Sequence, residues 1–480
     1  MKIVFIEPKS PGVHIYSHTP MPRLGTLILA TILRDNGYDV EVQIEELGAI
    51  RRDSIRSADV VGISIITPTA RRGYELAKIA REEGKTVVIG GPHATYLPDE
   101  ALSHADYIFR GEGDESILPF IKALESRSGF EGVPGLSWRD GSETRHNKRP
   151  GYCKNLDALP SPDFNLITNA TRHMSVTPIY TSRGCPFDCG FCSVSDMFGR
   201  QFRTRSNEKI LEDLRVHRRL VADQKVVTGN DIFFYDDNFT INKKRVKGLL
   251  NAMVAEGLTP PWAAQASSDV ADDEELLELI GRTNCYYLYI GFESVNPATL
   301  TAYNKKHTLE KIEYSISRIN AHGIKIHGMF VVGADTDDKE VIRRTAKFAL
   351  RTKISTVQFM ILTPLPGSRT YDEMAAENRI TTRDWSLYDT HHVVFKPKNF
   401  TELELQIETA RAMLMFYSWT NFLNKVVEFS IHLKNLKLNF RQIILSVYGH
   451  YMVKGWLKSH KDWMALLADR GADHAADNKT

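Results

Sequence analysis

The chain has 480 residues with 61 Lys and Arg against 59 Asp and Glu, a formal charge of +2, and 42% apolar and 25% charged residues. This is the composition of a folded protein, which excludes disordered, collagenous and fibrous classes, and at roughly 150 residues per domain it predicts about three folding units. The near-neutral balance gives no whole-molecule field to recruit nucleic acid, and five cysteines are too few for a disulfide scaffold.

The opening segment, MKIVFIEPKS, has neither a long apolar region nor a small-residue cleavage site, and no uninterrupted apolar run reaches about 18 residues, so a cytoplasmic protein with reduced thiols is expected. Residues 1–125 alternate short apolar runs (2–6, 39–43, 60–66, 86–91, 105–111) with helix-like stretches at 24–36 and 70–83. Continuous apolar strands are what a parallel sheet covered on both faces requires, so a doubly wound, Rossmann-like α/β sheet is predicted, with ligands at its carboxyl strand ends. From 126 to 172 the rhythm dissolves into Gly, Pro, Asp and Asn, with one short hairpin signal at 135–145, which predicts an inter-domain linker.

A second β-α series fills 173–370, with strands near 177–182, 232–236, 262–266, 286–292, 324–332 and 356–362. Six such units predict a partial (β/α)6 barrel whose chemistry lies at the C-terminal strand ends. From 371 to 480 the chain reads as mainly helical. Between Asn421 and Lys461 seven Lys or Arg accompany one acid, Glu428, interleaved with aromatics such as Phe422, Tyr451 and Trp456. The simpler reading is a helical layer with a solvated basic face; the alternative is an interfacial stretch making a peripheral membrane contact.

Cys185, Cys189 and Cys192 fall within eight residues, in Thr181-Ser-Arg-Gly-Cys-Pro-Phe-Asp-Cys-Gly-Phe-Cys-Ser193, directly after the first strand of the second series. Structural zinc wants four closed ligands, and the remaining Cys153 and Cys285 are remote, so a zinc knuckle would be one ligand short. An iron–sulfur cluster on three thiolates instead leaves one iron open, and Gly184 and Gly190 let backbone amides approach its sulfides. With Phe191 before the last cysteine, the motif resembles that of the radical S-adenosylmethionine (SAM) superfamily, over residues 178–366. The resemblance implies a 4Fe–4S cluster on the three cysteines, SAM chelated at the open iron, and reductive cleavage to a 5'-deoxyadenosyl radical that attacks an unactivated C–H bond. It implies SAM contacts from Phe191, from Tyr235, Asp236 and Asp237 ending the second strand, from Gln265 ending the third and from Glu293 ending the fourth. It also implies an electron donor such as flavodoxin or ferredoxin. Acids at strand ends serve equally as caps of the next helix.

The segments Ser17–Gly25, Val60–Thr67, Val88–Thr95 and Arg110–Glu115 resemble the cobalamin-binding domain that precedes the barrel in one radical SAM subfamily. That resemblance implies cobalamin beside Ser64, Thr67, Gly90, Gly91, His93, Gly111, Glu112 and Gly113, where the glycines let backbone lie flat against a large planar ligand. Without a ligand the same glycines are tight β-α turns. The Asp-x-His-x-x-Gly motif is absent, and none of His14, His18, His93 or His104 stands in that context, so no histidine ligand to cobalt from that motif is expected. No cysteine precedes Cys153, unlike methylthiotransferases with a second cluster. The implied activity is cobalamin-dependent C-methylation of a small-molecule or lipid-like substrate. Its alternatives are a radical cyclase or oxidoreductase acting on a tetrapyrrole or lipid, and a non-catalytic cluster or cobalamin sensor.

Overall fold

The structure, a computed structural model, describes residues 1–10, 12, 21–223, 229–431 and 436–477. His14, His18 and the start of the Ser17–Gly25 segment lie outside the described residues, as do the side chains of 427–443 in the basic aromatic stretch.

Strands β1 (Lys2–Glu7), β2 (Asp39–Ile44), β3 (Val60–Ser64), β4 (Thr86–Gly90), β5 (Tyr107–Phe109), β6 (Leu136–Asp140) and β7 (Glu143–His146) form one sheet in the order β2-β1-β3-β4-β5-β6-β7. β1 to β5 run parallel. The strand order reverses at β1 and β3, which opens a crevice at their carboxyl ends. One face buries Ile3 and Phe109 against Leu27, Ile28 and Phe120 of the helices Leu24–Asp35 and Ile117–Ser126. The other buries Val4, Val61 and Ile89 against Leu76 and Ala77 of the helix Ala70–Glu82. Each fully buried side chain of this size contributes ~1.5–3 kcal/mol. Trp385, Tyr388 and Val394, from far along the chain, complete this second core.

Segment 126–172 differs from the expected linker. Its hairpin signal becomes β6 and β7, and β6 pairs antiparallel with β5, Leu136 opposite Phe109. Cys153, Leu156, Phe164 and Ile167 then bury themselves in the first core. These apolar residues occur in ones and twos among turn formers, so they carry no period; an already formed sheet buries them nonetheless.

The second half supplies β8 (Val176–Ile179), β9 (Ser182–Arg183), β10 (Arg203–Thr204), β11 (Asp231–Phe234), β12 (Trp262–Ala266), β13 (Cys285–Glu293), β14 (Ile326–Val332) and β15 (Thr356–Ile361). Six of them form a parallel partial barrel in the order β15-β14-β13-β12-β11-β8, while β9 and β10 make a separate antiparallel ribbon. The intervening helices start where the sequence provides a side-chain cap: Ser206, Asn242, Asp273, Thr308 and Asp338 each accept a first-turn backbone N–H. Helices Glu402–Phe416, Trp419–Ile431, Leu436–Ser459 and Lys461–Asp477 follow. Among the described residues no helix is long and apolar enough to cross a membrane.

Candidate active site

The three cysteines ride on a loop whose two ends are the ribbon β9–β10. Gly184 opens it at φ +86°, where a Cβ would sit 2.6 Å from the Gln201 carbonyl oxygen, so only glycine fits between the two strands. The loop is held by backbone bonds: Cys185 N donates to Gly199 O (3.2 Å), Cys192 N to Cys189 O (3.0 Å) and Thr370 N to Gly190 O (3.0 Å). Phe191 packs edge-on against Tyr303 at 4.9 Å, which anchors the loop to the barrel.

Burial pushes all three thiols up, Cys192 to about 12. Thiolates here therefore need a cation to form. Among the described residues no three His, Cys, Asp or Glu side chains could hold a single metal ion. Three thiols on one loop, with Cys153 and Cys285 buried away in the two cores, are a donor set that fits a 4Fe–4S cluster with one iron left open.

Beside the cluster loop stands a charged pair that the sequence only half disclosed. Glu293, buried at the end of β13, takes φ +64°, and its Oε1 lies 3.0 Å from Lys305 Nζ. Gly291 makes room for it, since a Cβ there would meet Glu293 Oε1 at 2.4 Å. A non-glycine residue in the left-handed region stores ~1–3 kcal/mol and clusters at functional sites. Burial works against the Lys305 charge, yet Glu293 and the neighbouring Cys189 hold the ammonium well above its ordinary value. Lys305 was not foreseen: its only sequence trace is a Lys-Lys pair in a polar turn.

Between the two halves lies a cavity of about 400 Å³. One part of its lining is Ser64, Gly90, Gly91, Gly111 and Gly113 on the sheet side and Tyr235, Asp237 and Gln265 on the barrel side. From there it runs between the helices Leu24–Asp35 and Ile117–Ser126, lined by Phe5, Leu24, Ile28 and Phe120. Gly91 sits at φ +100° with no space for a side chain: a Cβ would meet Ile65 O at 2.3 Å. The Arg23 Nε and the Tyr180 hydroxyl are buried at this wall with no hydrogen-bond partner among the described residues. A broad face rich in polar groups, with an arm reaching between helices, would fill the cavity and satisfy both atoms, so the residues fit cobalamin. Asp237 lines the cavity with its side chain open to it, and its crowded surroundings together with the adjacent Asp236 carboxylate push it up to about 7.

Four of the expected residues make other contacts. Thr67 and His93 do not line the cavity. His93 is fully buried, Nδ1 3.4 Å from Thr67 Oγ1 and Nε2 3.3 Å from Glu100 Oε1, and Glu100 also accepts from Tyr74 OH (3.0 Å) and Trp385 Nε1 (2.7 Å). The two residues thus seat the C-terminal segment on the sheet. Glu112 stands in the cavity wall, but its carboxylate is taken by Arg203 (2.6 and 2.9 Å) and by Cys153 N (2.8 Å). Asp236 accepts from Thr181 N (2.6 Å), Ser182 N (3.0 Å) and the Thr181 hydroxyl, so it fixes the chain entering the cluster loop and has little capacity left for SAM.

A parallel partial barrel carrying a three-cysteine loop after its first strand, facing a doubly wound sheet across a shared cavity, defines a two-domain radical enzyme with a second, larger cofactor. Residues 179–349 match the Radical SAM superfamily model and residues 12–118 the B12 binding domain model. The chain is 30% identical over 426 residues to bacteriochlorophyllide d C-12(1)-methyltransferase of Chlorobaculum tepidum, covering 86% of this chain and 88% of that one. It is 29% identical over 433 residues to an uncharacterized methyltransferase of Pyrococcus horikoshii (87% and 92% covered). Its fold superposes on the cobalamin-dependent SAM radical enzyme OxsB with aqua-cobalamin bound, with a TM-score of 0.71 at 17% identity, over 94% of this chain and 72% of that one. The chain belongs to the cobalamin-binding class of the radical SAM superfamily. Its cofactors are a 4Fe–4S cluster, SAM and cobalamin.

Proposed function

We propose that this enzyme methylates an unactivated carbon of a lipophilic small molecule, a tetrapyrrole or a polycyclic lipid, using an external one-electron donor such as flavodoxin or ferredoxin. The observation that carries the reading is the single cavity reaching from the strand ends of the N-terminal sheet to Tyr235, Asp237 and Gln265 on the barrel. When bound, the cluster with SAM supplies a carbon-centred radical oxidant and the corrinoid supplies the methyl group.

Each part of the chain has a task in this scheme. Cys185, Cys189 and Cys192 hold the cluster, and Phe191 fixes their loop through Tyr303. Glu293 and Lys305 present one negative and one positive group, complementary to the amino and carboxylate ends of SAM. Ser64, Gly90, Gly91, Gly111 and Gly113 form the bed of the corrinoid, with Arg23 and Tyr180 as donors to its polar edge. On the barrel strands Phe233 meets Tyr289 edge-on at 5.6 Å and Tyr289 meets His327 at a tilt at 4.7 Å, an aromatic run suited to a lipophilic substrate. On the C-terminal helices Trp419, Leu423 and Tyr451 are 49–60% exposed, which supports delivery of that substrate from a membrane surface.

The test is anaerobic reconstitution with iron, sulfide and hydroxocobalamin, then reduction with methyl-deuterated SAM in the presence of a chlorin or a polycyclic lipid extract. Methylation predicts 5'-deoxyadenosine, S-adenosylhomocysteine and a deuteromethyl product together. Deoxyadenosine alone would favour a cyclase or oxidoreductase, and neither nucleoside with an intact cluster would favour a sensor.

A further inference from the structure

The two ends of the cluster loop carry arginines directly opposite each other: Arg183 on β9 is register-paired with Arg203 on β10. Like charges opposite one another in an antiparallel pair are destabilising, and these two are almost fully buried. Both are answered by one turn of the other domain. Arg203 donates through Nη1 and Nη2 to the Glu112 carboxylate at 2.9 and 2.6 Å, and also to Cys153 O and Phe198 O, both at 2.7 Å. Arg183 donates to the Asp114 carboxylate at 2.5 and 3.2 Å. Removing a buried partner is far more damaging than exposing a surface one, so the base of the cluster loop closes only while the turn Gly111–Asp114 is docked. The same turn, with Arg183, forms a wall of the 400 Å³ cavity.

We propose that Glu112, Asp114, Arg183 and Arg203 are positioning residues that couple corrinoid occupancy to retention of the cluster. This rests on the reading of the cavity as the corrinoid site. A ligand seated against the turn holds it in the docked state, and the docked turn keeps the arginine ribbon shut over the cysteines. By linkage the closed cluster loop tightens the corrinoid site by the same factor.

The experiment uses the full chain. Iron transfer to a ferrous chelator is timed with and without saturating hydroxocobalamin, and hydroxocobalamin affinity is measured with and without the cluster. The expected result is iron loss slowed at least about threefold by corrinoid, and about tenfold tighter corrinoid binding with cluster, the second figure lying within the usual range of equilibrium coupling. In Glu112→Gln and in Arg203→Lys, which keeps the charge but loses the two-pronged geometry, the protection should fall below about twofold. If either variant fails to fold, the two wild-type comparisons decide alone. Failure of hydroxocobalamin to bind the wild type would overturn the reading of the cavity and the coupling with it. Binding without any change in iron loss, or full protection in Glu112→Gln, would overturn the coupling only.

Discussion

Replacing Lys305 with Met removes the positive half of the Glu293–Lys305 pair while keeping the aliphatic length. At 3.0 Å, two unit charges attract by ~5.5 kcal/mol at an effective dielectric of about 20, but desolvation offsets part of this. Breaking such a pair by deleting one partner costs ~3–5 kcal/mol when both are buried. Here the side chains are 21% and 8% exposed, so solvent brings the cost below that range, to ~2–3 kcal/mol. For a barrel of this size that is a fall in Tm of ~5–10 °C, read by circular dichroism on the cluster-free protein. The double variant Lys305→Met with Glu293→Gln should recover most of that loss, because the stranded carboxylate is gone. It should not recover SAM binding, which both variants weaken by ~2 kcal/mol, a roughly 30-fold change. A double variant no more stable than Lys305→Met, or unchanged SAM affinity in either, would refute the reasoning.

Alanine at Cys185, Cys189 or Cys192 should each abolish iron retention and 5'-deoxyadenosine formation, whereas Cys153→Ala and Cys285→Ala should keep full iron stoichiometry in a ferrozine assay. Asp237 keeps its proton in the fold up to about pH 7 but releases it near its ordinary value of 3.8 when unfolded. The unfolded chain then holds fewer protons across that window, so stability should fall as pH rises from about 4 to about 7 and level off above, with a shallow slope because the exposed side chain is screened by solvent in the cavity. Urea midpoints of cluster-free Asp237→Asn should lack this slope. Gly91→Ala must place a methyl 2.3 Å from a backbone oxygen at φ +100° and should lose corrinoid binding and soluble yield. Gly132→Ala, with no atom within 4 Å, should be silent in both. The full chain should sediment with anionic vesicles more than a Trp419→Ser/Leu423→Ser/Tyr451→Ser variant does; equal pelleting would remove the membrane from the scheme.

The features legible in the sequence were those with a local signature. Strand rhythm gives the two α/β units because burial on both faces demands continuous apolar runs, and the cysteine spacing marks the cluster loop because the ligands are close in sequence. What escaped was set by long-range contact. His93 reads as a strand-end ligand until Trp385, 292 positions later, is seen to share Glu100 with it. Asp236 reads as a free acid until Thr181 and Ser182 close on it, and Lys305 reads as one of two surface lysines until β13 delivers Glu293 beside it. Segment 126–172 looked like a linker because its buried residues are isolated, a pattern that periodicity cannot register.

Trp385, Tyr388 and Val394 finish a core whose other members lie within residues 4–108. During synthesis the helix Ala70–Glu82 covers most of this face early, but the patch that Trp385, Tyr388 and Val394 cover stays open until more than 250 further residues have emerged. At about 5–20 residues per second that wait lasts roughly 15–50 s, long compared with hydrophobic collapse. The N-terminal unit should thus be a chaperone client on the ribosome, and nascent chains arrested before Trp385 should remain protease-sensitive there.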